Sequence, residues 1–133
     1  MSLTNNKYVL GWIEEMKALV KPDQVIWIDG SDQQLEQLRA EACSTGEMEK
    51  LNEEKLPGCY LHRTAPTDVA RVEGRTFICT RKKEDAGPTN NWMDPKEAYE
   101  TLGKLYDGAM KGRTMYIIPY TMAHSGSPFA KVG

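Results

Sequence analysis

The stretch KGRTMYIIPYTMAHSGSPFAKVG, residues 111–133, combines a strand-like run with a Ser-Gly-Ser-Pro loop. The β-branched and aromatic side chains from Arg113 to about Met122 predict the last strand of the chain. Pro119 lies inside this run, and because proline lacks a backbone N–H, we expect an edge, a bulge or the end of the strand there. The stretch closes on AKVG without a capped helix or a polar tail, which raises the question of whether these residues are a whole protein or the front piece of a larger one.

Length and composition indicate a small globular protein. A chain of 133 residues predicts a single domain, residues 1–133. Hydrophobic residues make up 40% and charged residues 27% of the sequence, as in ordinary soluble proteins. The formal net charge of −2 provides no electrostatic attraction to nucleic acid or to anionic membranes, so we expect neither as a partner. The sequence contains no run of about 18 apolar residues.

The cysteines point to a reducing compartment. Cys43, Cys59 and Cys79 are odd in number and far apart in the sequence. This spacing suits neither a zinc site nor a disulfide framework, so we expect reduced thiols and a cytoplasmic protein.

The first part of the chain predicts a helix, a strand and a second helix. Apolar residues at helical spacing favour an amphipathic helix over residues 6–20, and a β-branched and aromatic run favours a buried strand over residues 25–28. A second helix is expected after Asp29-Gly30-Ser31, where the side chains of Ser31 and Gln34 fit a capping box. The apolar stripe of that second helix comprises Leu35, Leu38 and Ala42, and Gly46 is its expected stop.

The second part of the chain predicts shorter elements followed by one long helix. We expect strands over residues 59–63 and 75–80, a short helix over 67–74 and a loop over 81–91. Asp94 followed by proline opens the long helix, because both residues are favoured at a helix start. Its predicted buried face comprises Ala98, Leu102, Leu105 and Ala109. Together the elements predict an α/β fold in which short helices pack on a mixed sheet.

Few residues of this sequence have the types and spacing of a catalytic or metal site. His62 lies in a strand-like stretch, where a hydrogen-bonded structural histidine is the expected role. His124 and Ser125 are adjacent, and neighbours in sequence rarely have the geometry of a nucleophile and its base. GSPFAKV, residues 126–132, lacks both the glycine before the lysine and the hydroxyl residue after it that a phosphate-binding loop requires. We therefore predict no catalytic residue and no metal ligand in these 133 residues.

Two features leave a binding role open. The Asp29-Gly30-Ser31 turn presents backbone N–H groups to an anion or forms a plain strand-to-helix turn. Arg71 follows Asp68 in the predicted short helix, so its planar guanidinium aims at a carboxylate or phosphate, or forms a surface ion pair with Asp68 or Glu73. Arg75 and Arg113 invite the same comparison, and residue types alone leave all three arginines undecided.

Three stretches together resemble the N-terminal region of GTP-dependent phosphoenolpyruvate carboxykinase. They are DVARVE at residues 68–73, MKGRTMYIIP at residues 110–119 and GSPFAK at residues 126–131. The Asp29-Gly30-Ser31 turn and the Asn91-Trp92-Met93 segment fall in the order expected for that family. The resemblance covers nearly the whole chain and implies an N-terminal domain fragment of a larger enzyme.

The resemblance also implies a reaction and one substrate contact. Enzymes of this family are cytoplasmic lyases of gluconeogenesis that convert oxaloacetate and GTP to phosphoenolpyruvate, GDP and carbon dioxide with manganese or magnesium. Decarboxylation leaves an enolate that attacks the γ-phosphate, and the metal and cationic side chains stabilise the developing charge. The arginine of the family's DVAR motif contacts the anionic substrate and matches Arg71. The family's metal ligands, phosphate loop and guanine pocket have no counterpart in this sequence.

Two functional hypotheses follow. In the first, the chain is the N-terminal fragment of a GTP-dependent carboxykinase, contributes part of the oxaloacetate or phosphoenolpyruvate site and is inactive alone. In the second, it is a complete non-catalytic binding or interaction module related to that enzyme. An unrelated small α/β module remains only if the motif match is a coincidence. If the final strand normally pairs with further sequence, we also expect self-association of the fragment through an exposed strand edge.

Overall fold

The computed structural model describes residues 3–68 and 72–133. That part of the chain contains three α-helices: α1 (Lys7–Val20), α2 (Asp32–Ser44) and α3 (Pro95–Tyr106). It also contains six short strands: β1 (Gln24–Trp27), β2 (Glu49–Lys50), β3 (Tyr60–Leu61), β4 (Phe77–Ile78), β5 (Asn91–Trp92) and β6 (Thr114–Ile117). Two 3-10 turns span Glu73–Arg75 and Lys83–Ala86. The predicted mixed α/β class is confirmed.

Backbone contacts divide the chain into two compact units. The large unit combines Met1–Ile28 with Glu73–Gly133, and the small unit spans Asp29–Val72. The large unit holds α1, β1, β4, β5, α3 and β6, whereas the small unit holds α2, β2 and β3. The single domain expected over residues 1–133 stays a prediction.

The centre of the large unit is a parallel pair of strands. β1 and β6 pair from Gln24 opposite Thr114 to Trp27 opposite Ile117. A backbone hydrogen bond of 2.9 Å from the Ile28 N–H to the Ile117 carbonyl extends the pairing. β6 ends two residues before Pro119, which confirms the predicted end of the strand near the proline. The extension of this strand to about Met122 is wrong, because the chain leaves the ladder after Ile117.

The core of the large unit lies between α1 and this strand pair. Ile13, Val20 and Met115 are buried and form one cluster. Leu19, Val25, Trp27, Met110 and Ile117 pack against it. Helical spacing placed Val9 and Trp12 on the same apolar face of α1, but Trp12 is 59% exposed. The apolar face of α1 is therefore wider than the core that it covers.

Both ends of α1 are capped in ways that the helical spacing over residues 6–20 did not specify. The Asn6 side chain accepts hydrogen bonds from the first turn, and the helix ends at Lys21, whose φ of 53° lies in the left-handed region. The Lys21 ammonium pairs with the Asp107 carboxylate just beyond the end of α3. Backbone bonds from Gly108 to Leu19 (2.8 Å) and from Met110 to Val20 (2.9 Å) join the same two helix ends.

α3 starts as predicted but does not bury its predicted face. The Asp94 carboxylate accepts from the backbone N–H groups of Lys96 and Glu97, and Pro95 occupies the first turn. Of the four residues expected to be buried, Ala98 is buried, whereas Leu102, Leu105 and Ala109 are exposed. Helical spacing predicts which side of a helix is apolar, but that side is buried only if another part of the protein packs on it. Within the described residues, nothing covers the side of α3 that carries Leu102 and Leu105.

The small unit pairs a helix with a short antiparallel ladder. Ser31 caps α2 as predicted, and the helix stops at Ser44, before Gly46. β2 and β3 pair through Glu49 opposite Leu61 and Lys50 opposite Tyr60. Sequence patterns did not predict β2, and the strand expected over residues 59–63 is shorter because the ladder is only two residues long. Within this unit no residue of α2 is buried, so Leu35, Leu38 and Ala42 remain at least partly exposed.

Three further observations concern the whole described chain. Cys43, Cys59 and Cys79 are free thiols. The predicted loop over residues 81–91 contains the 3-10 turn Lys83–Ala86 and the first residue of β5. No helix within residues 3–68 and 72–133 is long and apolar enough to cross a membrane.

Candidate functional site

The predicted substrate contact itself, Arg71, lies outside the described residues together with Val69 and Ala70. Its role in substrate binding and the alternative of a surface ion pair both stay predictions. The chain on either side of it is described. Before it, a backbone hydrogen bond of 2.9 Å from Asp68 to the Ala65 carbonyl closes a turn.

The chain that follows Arg71 is held by a side-chain clamp in the large unit. The Asn91 amide donates to the backbone carbonyl of Glu73 at 2.9 Å and to that of Thr76 at 3.3 Å. These two carbonyls bracket the 3-10 turn Glu73–Arg75. The predicted helix over residues 67–74 is thus wrong at its described end, because Gly74 lies inside this turn and does not terminate a helix.

Asn91 is in turn positioned by β4 and β5. The two strands are parallel, with Phe77 opposite Asn91 and Ile78 opposite Trp92. The Trp92 indole donates to the Thr80 carbonyl at 3.0 Å. Sequence analysis did not identify Asn91 as a positioning residue. The only signal was its place directly before the tryptophan of the family-like segment.

The other two arginines have a weaker structural context. Arg75 is exposed at the end of the 3-10 turn, and Arg113 is exposed directly before β6. The Arg113 backbone is paired, since its N–H donates to Met110 and its carbonyl accepts from Asp23, each at 3.0 Å. The described residues bring neither side chain into a recognisable ligand site.

The loop after β6 is a hairpin closed by backbone bonds. Tyr120 and Gly133 exchange two hydrogen bonds of 2.9 and 3.0 Å, and Met122 donates to Lys131 at 2.9 Å. The Ser127 N–H donates to the carbonyl of His124 at 3.0 Å. His124 thus takes part in a turn through its backbone, as a loop residue does.

The Asp29-Gly30-Ser31 turn is satisfied by its own side chains. The Asp29 carboxylate accepts from the Ser31 N–H at 2.8 Å, and the Ser31 hydroxyl accepts from the Gln34 N–H at 3.2 Å. The predicted capping box would have the Gln34 side chain accept from the Ser31 N–H, but Gln34 accepts from the Asp29 N–H at 2.7 Å, and the Ser31 N–H donates to Asp29. The pKa of Asp29 is lowered, mainly by the hydrogen bond from the backbone N–H of Ser31 and to a smaller extent by the Ser31 hydroxyl. A carboxylate already lies at this helix start, which favours the plain turn over an anion site.

The histidine predicted to be structural makes a backbone contact. His62 Nδ1 lies 2.6 Å from the carbonyl of Glu47, which confirms the expected hydrogen bond, and its structural role stays a prediction. Among residues 3–68 and 72–133, no group of three or more His, Cys, Asp or Glu side chains is arranged to hold a metal ion.

The large unit contains a concave surface, which we call the apolar groove. It has a volume of about 840 Å3 and lies along α1 and β6. Its lining is almost entirely apolar and aromatic and includes Tyr8, Trp12, Tyr106, Met115, Ile117 and Tyr120. Tyr8 is 90% exposed and Trp12 59% exposed, so the groove is open to solvent. An open apolar surface of this kind is suited to contact with another polypeptide segment rather than to acid–base chemistry.

Comparison with known proteins gives a consistent result. Residues 11–133 match the family described as the phosphoenolpyruvate carboxykinase N-terminal domain. The chain is 56% identical over 130 residues to phosphoenolpyruvate carboxykinase (GTP) of Anaeromyxobacter dehalogenans and 47% identical to that of Corynebacterium glutamicum strain R. Each alignment covers 98% of this chain but only 22% and 21% of the relative, respectively. The chain thus spans about a fifth of the length of these relatives.

Proposed function

The chain belongs to the phosphoenolpyruvate carboxykinase N-terminal domain family, and on that premise we propose that it forms the N-terminal part of a GTP-dependent phosphoenolpyruvate carboxykinase. The observation that carries this proposal is the match of residues 11–133 to the N-terminal domain, together with identities of about half to relatives that bear that name. The family match removes the reading as an unrelated small α/β module.

The proposed activity belongs to the longer protein. It is the conversion of oxaloacetate and GTP to phosphoenolpyruvate, GDP and carbon dioxide, in the cytoplasm. The 133-residue chain contributes part of the substrate site and has no turnover by itself. Because nothing in its charge favours nucleic acid or anionic lipid, its partners are the substrate and the rest of the enzyme.

Arg71 is the proposed substrate contact. The guanidinium offers a planar fork of donors that matches the carboxylate of oxaloacetate or the anionic groups of phosphoenolpyruvate. Its place in DVAR, residues 68–71, supports this role.

The metal and the nucleotide are assigned elsewhere in the longer protein. The described residues offer no cluster of three metal-ligating side chains, so they do not fit the manganese or magnesium site that the reaction requires. GTP needs a phosphate-binding loop, and GSPFAKV lacks the residues that define one. No catalytic step is therefore assigned to a side chain within residues 3–68 and 72–133.

The test uses the full-length product of the gene that encodes this sequence, called the full-length protein below. Arg71→Ala removes hydrogen bonds to a charged group, so we expect kcat/KM for oxaloacetate to fall about 10- to 100-fold. Arg71→Lys keeps the charge but loses the fork and should recover only part of the loss. Arg75→Ala is the matched control, because Arg75 is an exposed arginine four residues away.

Three outcomes would contradict the proposal. Unchanged kinetics in Arg71→Ala would return Arg71 to a surface ion pair. Formation of phosphoenolpyruvate by the isolated 133-residue chain would refute its proposed inactivity. A gene that stops directly after Gly133 would favour the non-catalytic module.

A further inference from the structure

The small unit has no buried side chain among its described residues, 29–68 and 72. The large unit, in contrast, buries Ile13 and Val20 in its core. On α2, Leu38 and Ala42 are half-buried. Because hydrophobic stabilisation grows with the apolar area removed from water, α2 gains only part of what a core helix gains. Contacts other than apolar burial therefore have more weight in the small unit.

A charged side chain joins α2 to the β2–β3 ladder. The guanidinium carbon of Arg39, on α2, lies 5.5 Å from the centre of the Tyr60 ring, on β3. This distance is within the range of a cation–π contact. Arg39 also pairs with Glu36, one turn earlier on the same helix, at 2.5 Å. A backbone bond of 3.0 Å from Met48 to Ala42 lies in the turn after α2, so it holds only the last turn of the helix.

The ladder carries a second ion pair that belongs to the same group of charges. Lys50 lies opposite Tyr60 in the ladder, and its ammonium is 2.7 Å from the Glu53 carboxylate. The hydrogen bond to Glu53 raises the pKa of Lys50, and the charges of Tyr60 and Glu36 act in the same direction. Glu36 of α2 is thus close enough to act on a lysine of β2. We call Glu36, Arg39, Lys50, Glu53 and Tyr60 the charge network.

The ion pairs of the charge network are open to solvent. Their four side chains are between 36% and 64% exposed. An exposed ion pair contributes little to stability and is weakened by salt, because counter-ions screen its charges. In a unit without a core, however, small contributions decide whether a helix stays in contact with its neighbours.

We propose that the charge network makes the small unit sensitive to ionic strength, so that α2 separates from the β2–β3 ladder at high salt while the large unit stays folded. This inference goes beyond the proposed function, since it concerns the fold and does not depend on the reaction. Parts of a protein with few buried apolar contacts open locally without global unfolding. The core of the large unit is held by apolar contacts, which charge screening does not weaken.

The chain offers a matched pair of cations for the test. Arg39 on α2 and Lys17 on α1 each pair with a glutamate three residues earlier. Both cations are 36% exposed, and their glutamates are 64% and 70% exposed. Among the described residues, Arg39 also lies over an aromatic ring, whereas no such contact is found for Lys17. Arg39→Gln and Lys17→Gln therefore remove the same kind of ion pair, inside and outside the charge network.

The first experiment measures hydrogen–deuterium exchange of the full-length protein by mass spectrometry in about 0.1 M and about 1 M sodium chloride. The Debye length falls from about 10 Å to about 3 Å between these conditions. We expect peptides from α2 and the β2–β3 ladder to exchange about two- to fivefold faster at the higher salt concentration. Peptides from β1 and β6 should exchange at the same rate in both. Equal rates for the small unit at the two salt concentrations would overturn the proposal, as would an equal acceleration in both units.

The second experiment repeats the measurement on variants of the full-length protein. Arg39→Gln should speed exchange of α2 and the β2–β3 ladder about two- to fivefold at low salt and reduce its salt dependence. Lys17→Gln should leave that exchange unchanged. An Arg39→Gln protein with the exchange rates and salt dependence of the unmodified protein would overturn the proposal.

Two further variants separate the aromatic ring of Tyr60 from its hydroxyl group. Tyr60→Phe keeps a ring for the Arg39 guanidinium and should leave exchange unchanged, whereas Tyr60→Leu should resemble Arg39→Gln. Exchange in Tyr60→Leu as slow as in Tyr60→Phe would show that the contact does not hold α2. If a variant unfolds the small unit completely, the salt comparison on the unmodified protein still decides the proposal.

Discussion

Asn91 and Glu73 are joined by a hydrogen bond of 2.9 Å from the side-chain amide of Asn91 to the backbone carbonyl of Glu73. The same amide also donates to Thr76 at 3.3 Å, so one side chain holds both ends of the 3-10 turn. This contact therefore connects β5 to the 3-10 turn Glu73–Arg75, which begins two residues after Arg71 in the sequence.

Replacement of Asn91 tests this connection. We expect Asn91→Ala to lower the free energy of unfolding by about 1–2 kcal/mol, because two carbonyls lose their donor. Asn91→Asp should cost more, since a carboxylate would face two carbonyl oxygens. Urea unfolding measures both, with Asn5→Ala as a control at an exposed position. Equal stability of the Asn91 variants and the unmodified chain would show that the clamp is not needed.

The small core predicts a strong effect of truncation at Ile13. Ile13 is 4% exposed, so Ile13→Ala removes buried methyl groups and leaves a cavity that costs about 2–5 kcal/mol of the free energy of unfolding. Val9→Ala, on the same helix but 39% exposed, should cost less than about 1 kcal/mol. Urea midpoints of the two variants would contradict the assigned core if they shifted equally.

Lys21 has a backbone conformation that favours glycine. Its φ of 53° lies in the left-handed region, where a side chain costs about 1–2 kcal/mol. Lys21→Ala and Lys21→Gly both remove the ion pair with Asp107, but only the glycine variant relieves this strain. We therefore expect Lys21→Gly to be more stable than Lys21→Ala by about 1 kcal/mol in chemical unfolding. The reverse order would contradict the left-handed C-cap.

Asp29 predicts a loss of stability in acid. Its pKa in the folded chain is lowered below the ordinary 3.8 by the backbone N–H and hydroxyl of Ser31. The carboxylate therefore stabilises the fold above the ordinary value, and this contribution is lost as the pH falls through the lower folded pKa. The Asp29→Asn variant can accept the same N–H but does not titrate.

The pH dependence is measured as the difference between the unmodified chain and Asp29→Asn. Other carboxylates also make the fold sensitive to acid, since Lys50 lowers the pKa of Glu53 and Lys21 lowers that of Asp107. Their contributions are the same in both variants and cancel in the difference, which leaves the contribution of Asp29. Urea unfolding from neutral pH to below 3.8 should show the advantage of the unmodified chain shrinking with acid. A constant difference across that range would mean that Asp29 is not linked to folding.

The isolated chain is expected to self-associate through the open edge of the β1–β6 pair. Strand edges without a partner recruit other chains, and within the described residues this pair has no third strand. Light scattering should show a mass that rises with concentration for the 133-residue chain. A monomer at every concentration would contradict this prediction.

Local signals predicted the helices and the first strand well. Ser31 and Asp94 cap helices at the expected places, and the run that contains Val25 forms β1, because caps and periodicity act within a few residues. β2 and β5 were missed, since each is only two residues long and exists through pairing with a distant segment. The predicted buried face of α3 was largely wrong for a related reason: Leu102 and Leu105 are apolar, but burial depends on a covering layer.

The candidate site divides in the same way. The motif around Arg71 helped to identify the family. The role of Arg71 as a substrate contact stays a prediction, because Arg71 lies outside the described residues. The sequence did not predict the role of Asn91, because its partner Glu73 lies 18 residues earlier. The type and position of an asparagine do not indicate which distant carbonyl its side chain binds.

By itself, the sequence determined the mixed α/β class, the positions of α1, β1 and α3, and membership of the carboxykinase family, because these depend on short-range propensities and on motifs that are read residue by residue. Only the tertiary structure decided the parallel register of β1 with β6, the clamp of Asn91 on Glu73 and the apolar groove. Each of these requires residues far apart in sequence to meet. Their contacts depend on the packing of the whole unit, which no local pattern specifies.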